Sequence, residues 1–185
     1  MNPVALSPVR CHIQTALKIA YLSVLLFTAT QEHDECIDLV TSELNKTSSP
    51  RQNRLSTIRS LGSIAKFLGV VPVRERLIPL LAKVAPEEED EVQFAIAETL
   101  ENFVPSVGGG EHAIHILRVL KSMCIAEETV VRDRTAKAFS KVVSEMTWGN
   151  EGSTECMAML DELAHGSWFT EKVLASNMYA AVYLK

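Results

Sequence analysis

The side chains that could do chemistry in this 185-residue chain are few and scattered. His112 and His115 stand three apart, a spacing that puts two imidazoles on one helical face and could supply the first two ligands of a metal site. No third ligand stands near them in the sequence, so they read as surface or packing histidines. Cys11, Cys36, Cys124 and Cys156 lie far apart with no C-x-x-C pair, which suits reduced thiols used for packing. Gly108-Gly109-Gly110 resembles a phosphate-cradling loop in composition only. It lacks the following Lys-Ser/Thr and comes after a helical pattern, so it reads as a helix stop and flexible corner. No G-x-S-x-G elbow, H-E-x-x-H pair or P-loop is present. The carboxylates gather in turns, where no apolar pocket would raise a pKa for acid catalysis. The expectation is a protein that is not an enzyme and uses no cofactor or metal.

What remains is recognition chemistry. Glu87-Glu88-Glu89-Asp90-Glu91 places carboxylates at the positive end of the helix that follows, either as a solvated cap or as a docking surface. Trp168 and Phe169 stand together in another turn, an aromatic pair either buried between neighbouring elements or presented to a partner. Net charge is −5 and no Lys/Arg block tracks a phosphate backbone, so basic protein surfaces are expected as partners and nucleic acid is not.

These turns are positioned by a repeat. With Val131 as a register mark, the pattern returns every 39 residues at Asn53, Val92 and Thr170. Five residues beyond each mark stand Ile58, Ala97, Ala136 and Ala175; eight beyond, Leu61, Leu100, Phe139 and Met178; twelve beyond, Ala65, Val104, Val143 and Val182. These offsets differ by three and four, so each set lies on one side of a helix and forms its buried stripe. Four copies of one amphipathic helix at one spacing predict an all-α chain of α-solenoid type, in which each helix pair buries its apolar face against its neighbours. Hydrophobic residues at 47%, charged at 22% and aromatics at only 6% agree with close helix packing.

The chain then divides into an apolar extension at 1–33 and four pairs at about 34–69, 70–109, 110–149 and 150–185. The extension is too short in its clean apolar run to span a bilayer. It reads as an extra helix capping the array, as a targeting or anchoring segment, or as an upstream extension. Within the pairs, Pro50 and Gly69 bound a helix, Pro79 predicts a kink, and a helix over Val92–Val104 stops before Pro105. A helix reaching about Met146 is followed by a polar interval over Thr147–Thr154.

The strings from Ser49 to Leu61, Glu89-Asp90-Glu91-Val92 with Ala97-Glu98-Thr99-Leu100, Glu127-Glu128-Thr129-Val130-Val131-Arg132-Asp133 and Trp168-Phe169-Thr170 closely resemble the N-terminal HEAT repeats of the scaffold (A, 65-kilodalton regulatory) subunit of protein phosphatase 2A. The resemblance covers about residues 34–185. It implies about four HEAT-type helix pairs of a longer horseshoe whose intra-repeat turns receive regulatory B-type subunits. Carried over by position, the partner-binding residues are Glu91, Glu127, Glu128, Trp168, Phe169 and Thr170. The catalytic subunit is expected to bind only where further repeats exist, so four repeats read as a truncated form. The resemblance implies a cytoplasmic location that extends to the nucleus, with no membrane role. The acidic turn before Val92 is one residue longer than the family's, and residues 1–33 have no counterpart there. The competing reading is a HEAT adaptor in transport or membrane traffic.

Overall fold

The computed structural model describes residues 31–47, 49–167 and 169–183, except the side chain of Thr170. The extra N-terminal helix expected within 1–33 lies outside the described residues but for 31–33, and so does Trp168. The chain divides between Leu39 and Val40 into two units. Of the first, 31–39 are described; they are helical, with Gln31 Nε2 donating to Glu35 Oε1 at 3.4 Å. That helix, α1, spans 31–43.

The second unit continues with α2 (Arg51–Leu68), α3 (Val70–Pro72), α4 (Ile78–Val84), α5 (Asp90–Leu100), α6 (Ile114–Met123), α7 (Thr129–Glu145), α8 (Glu151–Ala164) and α9 (Phe169–Tyr183). No strand occurs among the described residues. Helices α2, α5, α7 and α9 pack in succession as one layer, and α4, α6 and α8 as a second. Short turns join α4 to α5, α6 to α7 and α8 to α9, so consecutive helices run antiparallel and those within a layer run parallel. The unit is an α-solenoid of helix pairs.

The predicted stripe is the core of the α2–α5–α7–α9 layer. Leu61, Leu100, Phe139 and Met178 are all fully buried, as are Ile58 and Ala97, with Ala175 close behind. Ala136 departs from its set and is only half-buried, as is Val182. In α7 the stripe is carried by Val131, Thr135, Ala138, Phe139, Val142 and Val143, so the inward place beside Ala136 falls to Thr135. The Thr135 hydroxyl is buried there without a hydrogen-bond partner.

The helix ends follow the expected punctuation with two corrections, at the end of α5 and after α7. Pro50 precedes α2, and Gly69 ends it at φ 76°, a conformation open to glycine at no steric cost. Pro79 is accommodated by widening the chain ahead of it: Val73–Leu77 is a π-helical stretch in which the Ile78 N–H bonds to Val73 O, five residues back. A ring without an N–H in a helix interior leaves a carbonyl unmatched, and the wider turn absorbs the mismatch. Helix α5 stops at Leu100, short of Val104, because the chain tightens into 3₁₀-type bonds such as Phe103 N–H to Leu100 O and then a 3₁₀ turn, Val104–Val107, holding Pro105. Val104 remains buried without being helical in the α sense. The interval after α7 is shorter than expected, since Asn150 caps α8: its side chain accepts from the Ser153 N–H at 3.0 Å, and Ser153 Oγ accepts from the Asn150 N–H at 3.1 Å.

The glycine triplet is not a flexible corner throughout. Gly108 and Gly109 have positive φ, whereas Gly110 is packed against the connection after α7. Gly110 O accepts from the Thr147 N–H at 3.1 Å, and a side chain at Gly110 would meet Thr147 N at 2.8 Å and the carbonyl of Glu145. The third glycine is there for close backbone approach.

Candidate partner-binding edge

Parallel stacking puts the turns before α5, α7 and α9 along one edge. A notch of about 350 Å³ is lined jointly by Pro86, Glu88, Asp90 and Gln93 of one turn and by Ile125 and Glu127 of the next. A second cleft of about 420 Å³ joins Ser122 and Ile125 to Leu163 and Glu171, continuing the edge to the start of α9.

The turns before α2, α5 and α7 are braced from the same register position, one residue beyond the mark. Arg54 Nη1 donates to Ser49 O at 2.7 Å, Gln93 Nε2 to Ala85 O at 3.0 Å, and Arg132 Nη1 to Ala126 O at 2.7 Å and Glu127 O at 2.5 Å. Arg132 Nη2 also donates to Thr129 Oγ1 at 2.9 Å. A long donor at that position satisfies carbonyls that the turn leaves outside helical bonding.

The acidic run is divided between two environments. Arg54 Nε donates to Glu88 Oε2 at 3.0 Å, and the side chains of this pair are only 3% and 1% exposed. Arg54 Nη2 reaches Glu89 Oε1 at 3.2 Å, and Arg51 lies 3.8 Å from Glu89 and 3.3 Å from Glu91. Lys46 Nζ donates to Glu87 O at 2.7 Å. The run is thus neither a simple solvated cap nor a free acidic surface: it ties its turn to the preceding one.

Of the expected site residues, Glu91 is exposed at the start of α5 and paired with Arg51. Glu127 and Glu128 are exposed ahead of α7, with Ile125 and Val130 exposed beside them. Phe169 is 79% exposed at the first position of α9. Thr170 follows it in the helix. The structure therefore brings Glu91, Glu127, Glu128 and Phe169 to one edge, and the Phe169 ring is open to solvent instead of buried between pairs. Arg54, Glu88 and Gln93 are the edge residues that sequence reasoning missed. The signal for Arg54 and Gln93 was the recurrence of a long polar side chain just past the mark.

The opposite, connector edge holds the histidines. A cleft of about 660 Å³ between α6 and α8 is lined by His112, His115, Arg118 and Glu155 among others. Arg118 grips Glu155 through two bonds of 2.6 Å, which raises the arginine pKa and lowers that of the carboxyl. Burial, with Arg118, Arg74 and His112 nearby, lowers the His115 pKa below its ordinary 6.5. The two imidazole centroids are 6.2 Å apart, and among the described residues no group of three His, Cys, Asp or Glu is placed to hold a metal ion. Cys124 and Cys156 are buried, and burial pushes their thiols up to about 12 and about 11. Among the described residues, no helix is long and apolar enough to cross a membrane.

Layered helix pairs recurring every 39 residues, with braced turns along one edge, define a HEAT-type α-solenoid. Within that class the chain resembles the scaffold proteins of protein phosphatase 2A. It is 35% identical over 133 residues to the regulatory A-type protein of Saccharomyces cerevisiae protein phosphatase PP2A, covering 72% of this chain and 21% of that protein. It is 38% identical over 132 residues to the alpha isoform of the Arabidopsis thaliana 65 kDa regulatory protein of serine/threonine-protein phosphatase 2A, and 36% over 132 residues to the Dictyostelium discoideum protein phosphatase 2A scaffold subunit; each match covers 71% of this chain and 22% of the relative. The chain thus spans about a fifth of the length of the relatives it matches. No family model matches the chain.

Proposed function

We propose that this chain is a non-catalytic scaffold or regulatory subunit of a protein phosphatase 2A-like serine/threonine phosphatase, binding regulatory B-type subunits through its intra-pair turns. The observation that carries this reading is Phe169, 79% exposed on the edge that also presents Glu127 and Glu128. An exposed ring flanked by carboxylates is an anchor for an apolar pocket bordered by basic side chains. Glu91 contributes once Arg51 is drawn away, and Trp168 and Thr170, the chain neighbours of Phe169, are assigned to the same partner from the resemblance alone. The resemblance to phosphatase 2A scaffolds supplies the partner class. These repeats by themselves hold a B-type subunit, whereas capture of the catalytic subunit needs further repeats. The work is done in the cytoplasm and extends to the nucleus, with neither nucleic acid nor membrane as a partner.

The test is capture of purified B-type and catalytic subunits by the immobilised full chain. B-type capture is expected, with Phe169→Ala weakening it about tenfold or more while leaving the circular-dichroism melt unchanged. Catalytic-subunit capture equal to that of a full-length scaffold, or indifference of B-type capture to Phe169→Ala and Glu127→Gln together, would overturn the reading.

A further inference from the structure

The notch between the α4–α5 and α6–α7 turns is lined by two residues that each keep a polar atom the fold does not satisfy. Glu88 keeps Oε1 buried without a partner, its other oxygen being taken by Arg54, and Gln93 keeps Oε1 buried without a partner. The Gln93 amide is held in this orientation because its Nε2 donates to Ala85 O at 3.0 Å; flipping it would set oxygen against oxygen. Both residues line the notch, together with the carboxylates of Asp90 and Glu127. Of its polar side chains, Glu88, Asp90 and Glu127 offer only acceptors, Gln93 has its donor nitrogen already engaged, and Ser122 has its hydroxyl proton engaged on Val119 O at 2.7 Å. Pro86, Ile125 and Ala126 supply apolar wall.

An acceptor-rich notch with an apolar wall fits a group that only donates and carries its charge on a flat, weakly hydrated face. We propose that this notch receives an arginine side chain from a protein partner, with Gln93 and Glu88 as the hydrogen-bond acceptors that single it out and Asp90 and Glu127 as the charges that draw it in. The guanidinium matches this set better than an ammonium does, because five fixed donors can serve several oxygens while the planar face lies on Ile125 and Pro86. Burying unpaired acceptors costs stability in the free protein, and the incoming donor removes that cost. The inference rests on the edge assigned above facing a partner, and it names the chemistry that part of the edge selects.

The experiment titrates the isotope-labelled full chain with N-acetyl-arginine amide, N-acetyl-lysine amide and N-acetyl-citrulline amide, following backbone and glutamine side-chain resonances. Arginine amide is expected to shift the Gln93 side-chain amide and the Ala126 and Glu127 backbone saturably, and citrulline amide is not. Gln93→Met, which keeps the length and removes the oxygen, is expected to weaken arginine amide about tenfold with an unchanged melt, and Glu127→Gln to weaken it less. Equal responses to arginine and citrulline, or shifts spread over acidic residues such as Glu151 and Asp161 with no preference for the notch, would overturn the proposal. The titration uses no other protein, so its failure would leave B-type capture standing, and failure of capture would leave the titration standing.

Discussion

Arg54→Met and Glu88→Gln are expected to differ in cost although they break the same ion pair. The structure sets the asymmetry. Glu88 has one partner, Arg54 at 3.0 Å, and its other oxygen has none, so losing Arg54 strands a carboxylate whose side chain is 1% exposed. Arg54 has three partners, and without the Glu88 charge it still reaches Ser49 O at 2.7 Å and Glu89 at 3.2 Å. Removing one member of a buried pair and leaving the other uncompensated costs about 3–5 kcal/mol, whereas losing one charged hydrogen bond among several costs about 1.5–3 kcal/mol. Arg54→Met should therefore be the more destabilising by about 1–2 kcal/mol. The double variant Arg54→Met/Glu88→Leu should recover part of the loss, because it leaves no buried charge at all. Urea unfolding followed by circular dichroism measures all three. Hydrogen exchange adds position: protection should fall first in α2 and α5, which this pair joins through their turns, before α7 and α9. Since the pair is buried, the difference should persist at 1 M salt, where the Debye length is about 3 Å. Equal losses in the two single variants, or a difference that salt abolishes, would refute the account.

Gly110→Ala should destabilise by about 1–3 kcal/mol, because its Cβ would press on backbone atoms of Glu145 and Thr147; Gly62→Ala, in open space on α2, should stabilise by about 0.5–1 kcal/mol, and thermal melts of the two compare them directly. Cys124 and Cys156, with thiols at about 12 and about 11, should resist a maleimide at pH 8 in the folded chain and react on unfolding, as peptide mass spectrometry would show. His115 has its pKa lowered on folding, so the unfolded chain takes the proton first; stability is present above 6.5 and lost as pH falls below it, and His115→Asn should flatten that part of a stability-against-pH profile. The loss tied to Glu155, whose pKa is also lowered, begins only below its ordinary 4.5 and should survive that substitution.

The repeat was legible because every copy solves the same packing problem, so offsets of five, eight and twelve recur wherever a helix must face its neighbours. The same averaging hid what belongs to one copy. In α7 the buried place passes from Ala136 to Thr135, and no apolar pattern announces a buried hydroxyl. The end of α5 at Leu100 was masked by Val104, which is buried whether or not it is helical. The disturbance at Pro79 was legible in place, whereas the wide turn over Val73–Leu77 that takes it up carries no sequence signal of its own. Charge patterning misled most: Glu88 sits in a run of five acids, which reads as solvated, and its partner is 34 residues away. At the edge, the exposed positions of Glu127 and Glu128 followed from their turn, the choice for Phe169 between burial and presentation did not, and the acceptors Glu88 and Gln93 became visible only through partners their own oxygens lack.

The main-chain bond from Thr147 to Gly110 fastens the link after one helix pair to the link after the next. At the far rim, among the described residues, no main-chain bond joins the α4–α5 turn to the α6–α7 turn, and a notch of about 350 Å³ lies between them. These two pairs are therefore expected to hinge like pages bound at a spine, with the bound margin nearly fixed and the free margin opening or closing. A partner seated along the free margin would set the fan's spread, and with it the curvature handed on to whatever the array carries.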